Sequence, residues 1–243
     1  MRLVTLVLEN IRNHGRTELA LSGGVNVFYG MNGQGKTSIL EAVSLVGFST
    51  TFVPGSDLSL VRRGAEFAFA SASAYSDLET LYKVSIRLRP GERKEIQSSL
   101  GKRLSPQDII GAIPLVALSP DNKNITAGAP QDRRKLVDSV ISQASRRYMK
   151  DLVSYRRILK QRNALLSRGR SDYGFDYGLV EPWTEALIDV GAEIVVRRSE
   201  FLRSFSAIVQ QAYSHIAGSH ETVGFIYTPN SLPPELFSDH KTP

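Results

Sequence analysis

Gly30-Met31-Asn32-Gly33-Gln34-Gly35-Lys36-Thr37 fits the pattern G-x-x-x-x-G-K-[ST] at every fixed position. Each of those positions has a chemical job. Glycine at 30 and 35 lets the backbone wrap closely around phosphate oxygens, so that its N–H groups and the start of the following helix point at the anion. Lys36 then reaches the β and γ phosphates, and the Thr37 hydroxyl ligates Mg²⁺. The implied ligand is a nucleoside triphosphate with Mg²⁺, held by residues 30–37.

Such a loop works only between a strand and a helix, and the neighbouring residues predict both. Leu3 to Leu8 and Thr17 to Leu21 read as strands, Ser22-Gly23-Gly24 as a turn, and Val25 to Tyr29 as a strand entering the loop. After Lys36, the string TSILEAVSLVGF places Ile39, Leu40, Val43 and Val46 or Gly47 on one side at helical spacing. Downstream, Glu66 to Tyr75 and Leu81 to Leu88 alternate as strands around Ser76-Asp77, and Ile113 to Leu118 is a short apolar run suited to a buried strand. From Pro130 the apolar residues recur at helical spacing. Residues 167–182 are rich in breakers, a long helix fits Trp183 to Ile216, and Val223 to Tyr227 predicts a further strand.

Several chemistries are excluded or left without support. The chain has no cysteine, and its four histidines, His14, His215, His220 and His240, show no ligand-like spacing. No structural zinc is expected. Leu21-Ser22-Gly23-Gly24 resembles the start of an LSGGQ signature, but it precedes the phosphate loop and falls between two strands, so it reads as a β-turn. No strand ends in the Asp that would hold Mg²⁺ through water, followed by a Glu to activate the attacking water. Ala186-Leu187-Ile188-Asp189 comes nearest, yet it lies in a helical pattern with no acid after it. These residues predict nucleotide binding without recognisable hydrolytic machinery.

Charge is unevenly spread. Residues 133–170 hold twelve Lys or Arg against Asp138 and Asp151, a local charge of +10 in a chain whose total is +6. A polyanion would be steered there, with an affinity that falls as salt rises; the plain alternative is a solvated helical face. No apolar run approaches the roughly 18 residues of a membrane span. Arg2, Glu9 and Arg12 interrupt the opening segment where a signal peptide would be apolar, so no membrane association and a cytoplasmic location are expected.

The motifs together resemble the RecF family of DNA repair and recombination proteins, within the ABC/SMC group of head-domain ATPases. Leu6-Val7-Leu8-Glu9-Asn10-Ile11-Arg12-Asn13 is similar to the family's N-terminal element, and Gln34 joins Asn32 and Gly33 in its G-x-N-G-Q-G-K-T form of the loop. Leu60 to Glu66, Leu118-Ser119-Pro120-Asp121, Arg133 to Asp138, Tyr155 to Leu166 and Gly191-Ala192-Glu193-Ile194 extend the likeness to about residue 228. One departure is Ser49-Thr50-Thr51-Phe52, where the family has a basic S-H-R element. Another is length, since the family runs on past the equivalent of Pro243 with its signature, Walker B and switch histidine, so the chain reads as C-terminally truncated.

The resemblance implies an α/β P-loop NTPase of the ABC ATPase head type, with a mixed sheet and a second, mainly helical lobe. Residues 1–128 would form the ATP-binding lobe, 129–220 the basic helical lobe, and 221–243 the start of a returning strand. It also implies binding to double-stranded DNA and gapped DNA junctions, work with RecR and RecO in loading RecA, a weak DNA-dependent ATPase in the full-length family, and an ATP-dependent homodimer. Candidate DNA contacts are Arg133, Arg134, Arg156, Arg157, Lys160 and Arg162. The competing readings are a P-loop kinase or NTPase for a small molecule, which would need a catalytic acid and a lid, and a non-catalytic DNA-binding module that keeps the loop as structure only.

Overall fold

The computed structural model describes residues 1–99, 101–102, 104–119, 123–169, 174–217 and 221–229, and the chain divides into two compact units. The first comprises Met1–Leu136 with Ser142–Arg146, and the second Val137–Ile141 with the residues from Arg147 onward.

The first unit is built on a six-stranded sheet in the order β2-β1-β3-β4-β5-β6. The strands are β1 (Arg2–Ile11), β2 (His14–Ala20), β3 (Ala68–Tyr75), β4 (Leu81–Leu88), β5 (Glu95–Ser98) and β6 (Gly101–Lys102). Every pairing is antiparallel. Period-2 alternation aligns one buried row across four strands, Leu8 beside Ala70, Ala70 beside Ile86, and Ile86 beside Ile96. Strand β3 contributes only alanine to its buried face, at 68, 70, 72 and 74. Four small side chains in line leave room for the helix α1 (Lys36–Phe48) to pack there, and Ile39, Ala42, Leu45 and Val46 of that helix complete the core.

Of the face its spacing predicts, that helix buries Ile39, Val46 and Gly47 and half-buries Val43. Leu40 is half exposed, whereas Glu41, Ser38 and Ser44 are buried. Ser44 and Glu41 are tolerated inside because each has a partner. Ser44 accepts from the N–H of Phe52 at 3.0 Å, and Glu41 receives Arg12 and Thr51.

Three predicted strands take another form. Val25 to Tyr29 is extended but pairs with nothing among the described residues, leaving Val25, Val27 and Tyr29 at 89%, 73% and 89% exposure. Ile113 to Leu118 follows the short α2 (Pro106–Ile109) as irregular chain, tied instead by the Gln143 side chain, which accepts from Leu115 N–H at 2.7 Å and donates to its carbonyl at 3.1 Å. Val223 to Tyr227 forms no strand either, and residues 230–243 lie outside the described set. Of the Ser119-Pro120-Asp121 segment only Ser119 is described. The mixed sheet expected from sequence is therefore seen only in its antiparallel part. Strand periodicity marks segments suited to pairing but cannot supply the neighbour.

After the short α3 (Asn124–Ala127), the helices α4 (Pro130–Ala144), α5 (Arg146–Gly169) and α6 (Glu181–Ala217) follow. Helix α5 runs three residues into the breaker-rich stretch, and Tyr177–Val180 adds a 3₁₀ turn capped by Asp176. In the second unit Ile141, Tyr148, Leu152 and Ile194 form a small core with Val137, Tyr155, Val190 and Phe201 against it. At its centre Asp138 accepts from Arg198 Nε at 2.8 Å, Arg198 Nη2 at 2.9 Å (on its other oxygen) and the Tyr148 hydroxyl at 2.6 Å. Burial, with Asp138 beside it, pushes the Tyr148 hydroxyl well above its ordinary range. No helix among the described residues is long and apolar enough to cross a membrane.

Candidate nucleotide site

The loop from Gly30 to Thr37 leads directly into α1. Gly30, Gly33 and Gly35 have φ of 140°, 81° and 92°, conformations that side-chain-bearing residues rarely adopt. Gly35 is the N-cap of α1, and it offers no side chain to satisfy the first N–H groups; the first turn holds no acid either. The helix start is thus electropositive and open to an external anion. Met31, Asn32, Gly33 and Gln34 are exposed along the loop, Gly35 and Lys36 are half-buried, and Thr37 is exposed on the first turn.

Lys36 folds back over its own loop, where Nζ donates to the carbonyls of Gly30 at 2.9 Å and Met31 at 2.8 Å. An ammonium ion held at the loop rim by neutral carbonyls can exchange them for phosphate oxygens without moving far. A groove of about 320 Å³ opens beside it, lined by Arg12, Asn13, Gly33, Gly35, Lys36 and Thr37, a volume within the range of small-ligand sites.

Arg12 and Asn13, singled out by sequence only as part of an N-terminal motif, also line this groove. The β1–β2 connection is a tight turn, with Ile11 paired to His14 and Arg12-Asn13 at its tip. Asn10 and Arg12 both have φ of 53°, which costs a non-glycine residue roughly 1–2 kcal/mol. The turn is held in this state by Arg12 N–H donating to the Leu60 carbonyl at 2.8 Å and by Arg62 N–H donating to the Asn10 carbonyl at 2.9 Å. The Arg12 guanidinium reaches Glu41 of α1 through Nη2 at 2.8 Å and Nε at 3.3 Å. A carboxylate buried in α1 demands a cation, and Arg12 supplies it.

The segment after α1 is organised differently. Asp57 accepts from Thr50 Oγ1 and Thr51 N–H, each at 2.9 Å, and pairs with Lys94, which also donates to the Ser49 carbonyl at 2.6 Å. Burial pushes the Asp57 carboxyl up, but Lys94 and the two threonine donors outweigh it and hold the group below the usual carboxylate range. Ser22 to Gly24 forms the turn expected there, stapled by Asn26, whose side chain accepts from Ser22 N–H at 2.9 Å and donates to the carbonyls of Ser22 and Gly24.

Among the described residues no group of three or more His, Cys, Asp or Glu could hold a metal ion. Mg²⁺ bound here would rest on Thr37 and on the phosphates themselves, which suits an ion that keeps several waters and takes one or two protein ligands.

The candidate DNA contacts do not form one set. Arg133 and Arg134 belong to the first unit and the others to the second. Arg133 Nη1 donates to the Gly128 carbonyl at 3.0 Å, so it serves the start of α4. On α5, Tyr148, Leu152, Tyr155 and Ile158 define the inward side. Arg162 shares that side and donates to Thr184 Oγ1 at 2.9 Å. Lys150, Arg157 and Arg168 line up on the opposite, exposed side at spacings of 7 and 11, with Arg156 and Lys160 beside them and also exposed. This basic stripe is about 27 Å long at 1.5 Å per residue. Arg147 is drawn off by Glu193 at 3.3 Å, and Arg170 lies outside the described residues.

Comparison with known proteins places this geometry. A family model described as an AAA domain matches residues 5–172. The DNA replication and repair protein RecF of Salinibacter ruber is 37% identical over 218 residues, covering 89% of this chain and 53% of the relative. RecF of Chloroherpeton thalassium is 35% identical over 240 residues, covering 98% of this chain and 65% of the relative. The chain thus spans between about half and two thirds of the length of these relatives. A solved structure of the recombination mediator protein RecF-ATP in the RecFOR pathway superposes with a TM-score of 0.83 at 27% identity, over 91% of this chain and 62% of that one. The corresponding RecF-ATPrS structure superposes with a TM-score of 0.83 at 28% identity, over 88% of this chain and 58% of that one. The glycine loop, the helix it opens and the turn that closes on it all fall within the matched residues, and the chain belongs to the family of AAA domains, similar over most of its length to the DNA replication and repair proteins RecF.

Proposed function

We propose that this chain is the nucleotide-binding portion of a RecF-type recombinational repair protein, binding ATP at Gly30–Thr37 with Mg²⁺ on Thr37 and duplex DNA along the exposed basic side of α5. The observation that carries the reading is the loop itself. Three positive-φ glycines, an uncapped helix start and a lysine resting on loop carbonyls converge on one groove, which is the arrangement a polyphosphate needs. The likeness to a solved RecF-ATP structure supports the choice of ATP. Duplex and gapped DNA, RecR and RecO as partners, RecA loading, an ATP-dependent homodimer and a cytoplasmic location extend the same reading from the family to this chain.

Equilibrium titration of Mg-ATP against the wild type and Lys36→Ala tests it. The substitution should cut affinity by about a hundredfold or more, because a charge-assisted contact to phosphate is lost, and should leave the thermal transition in place, since Lys36 is bonded only to loop carbonyls. Equal affinity in the two proteins would overturn the assignment of the loop.

A further inference from the structure

The turn Arg12-Asn13-His14 does more than border the groove. Asn13 Nδ2 donates to the Gly33 carbonyl. His14 Nε2 lies 3.0 Å from the Gly35 carbonyl while its Nδ1 lies 2.9 Å from Thr17 Oγ1. A carbonyl can only accept, so Nε2 carries a proton and donates; in the neutral ring Nδ1 then accepts from the Thr17 hydroxyl. A Cβ on Gly35 would collide with the His14 ring, so the glycine is required by this close approach as well as by its φ of 92°.

The two acceptors are alternate peptide groups of the phosphate loop. In a trans peptide the N–H points opposite to the C=O of the same plane. Fixing the Gly33 carbonyl therefore fixes the direction of the Gln34 N–H, and fixing the Gly35 carbonyl fixes that of the Lys36 N–H. The Gly35 carbonyl also accepts from the Ile39 N–H of α1 at 3.2 Å, so His14 reinforces a direction that the helix start shares, whereas the Gly33 carbonyl is held from the β1–β2 turn by Asn13.

We propose that Asn13 and His14 are positioning residues that preset the Gln34 and Lys36 amides for the phosphates before any ligand arrives. The gain is in preorganisation, because a glycine-rich loop that is ordered in advance does not lose that freedom on binding. The turn can act as a rigid anvil because its own backbone is locked by Leu60, Arg62 and the Arg12–Glu41 pair. This inference rests on the nucleotide reading above for its ligand, but the order it assigns to the loop can be measured without one.

The test compares wild type, His14→Gln and His14→Phe in ATP titrations, with backbone amide order parameters of Gln34 and Lys36 recorded on the ligand-free proteins. Glutamine keeps an N–H donor at similar reach, whereas phenylalanine keeps the ring and loses the donor. His14→Phe should weaken ATP binding about fivefold to tenfold, the value of one hydrogen bond, and lower the order of both amides. His14→Gln should stay within about threefold of wild type with the order retained. If phenylalanine matches wild type in loop order and affinity, or if glutamine is as poor as phenylalanine, His14 is a packing residue and the inference is overturned. Absence of ATP binding by the wild type would defeat the nucleotide reading instead, and the order parameters would still decide the role of His14.

Discussion

Each unit of the molecule encloses a buried arginine–carboxylate pair, and the two are built for different ends. In the helical unit Asp138 and Arg198 are 12% and 15% exposed, and Asp138 takes both arginine donors and the Tyr148 hydroxyl. Burial alone would pull the Arg198 guanidinium down, but Asp138 and the Tyr227 hydroxyl hold it above its ordinary range. In the sheet unit Glu41 is 4% exposed while its partner Arg12 is 33% exposed and borders the phosphate groove. One pair is closed on itself and ties three helices together. The other is open on its cationic side and couples a strained turn to the helix that the glycine loop opens. The cation of the sheet unit's pair also lines a groove, whereas that of the helical unit is engaged by Asp138, Tyr148 and Tyr227.

The comparison breaks most readily at Asp138. Asp138→Ala leaves Arg198 buried without its partner and should cost about 3–5 kcal/mol in urea unfolding of the helical unit, with ATP affinity unchanged. A loss below about 1 kcal/mol would mean the cluster does not hold the helices. Next in size is the basic side of α5. Reversing the charge at Arg156, Arg157 and Lys160 should lower the salt slope of duplex binding by about 0.9 for each lost phosphate contact, equally for unrelated sequences. Arg162→Ala should leave that slope alone, because its guanidinium faces Thr184. Unchanged slopes in both variants would make the stripe a solvated surface.

Glu41→Gln probes the open pair. It should reduce stability by about 1–2 kcal/mol and also weaken ATP binding, since the turn above the loop loses its tie to α1; a stability loss with full affinity would uncouple pair from site. The smallest effect is expected at Asp57. Its folded-state carboxyl is held below the usual carboxylate range, so its contribution is present above that range and lost as pH falls through the lowered value. Asp57→Asn should cost under about 1 kcal/mol near pH 7, and the difference from wild type should narrow as the pH falls below the usual carboxylate range. A gap that persists in acid would assign the effect to the threonine hydrogen bonds rather than to charge.

The phosphate loop was legible because its residue types are constrained one by one. Glycine is needed at positive φ, lysine at the helix start and threonine on the first turn. Strands β1, β3 and β4 were legible by alternation. What escaped was tertiary. Nothing local says that Asn13 and His14 close on loop carbonyls 20 and 21 residues away, or that Glu41 rather than Leu40 faces inward. The basic run showed charge but not direction. Helical spacing from Leu152, Tyr155 and Ile158 puts Arg162 on the inner side, apart from Arg157 and Lys160.

The central claim is that phosphates sit on the amides of residues 33–37. Backbone amide resonances of the isotope-labelled protein, followed during titration with Mg-ATP, test it directly. The account predicts saturable shifts concentrated at Gly33, Gln34, Gly35, Lys36 and Thr37, absent with adenosine and lost in Lys36→Ala. Saturable shifts that leave these five amides unmoved would place the nucleotide elsewhere and contradict it.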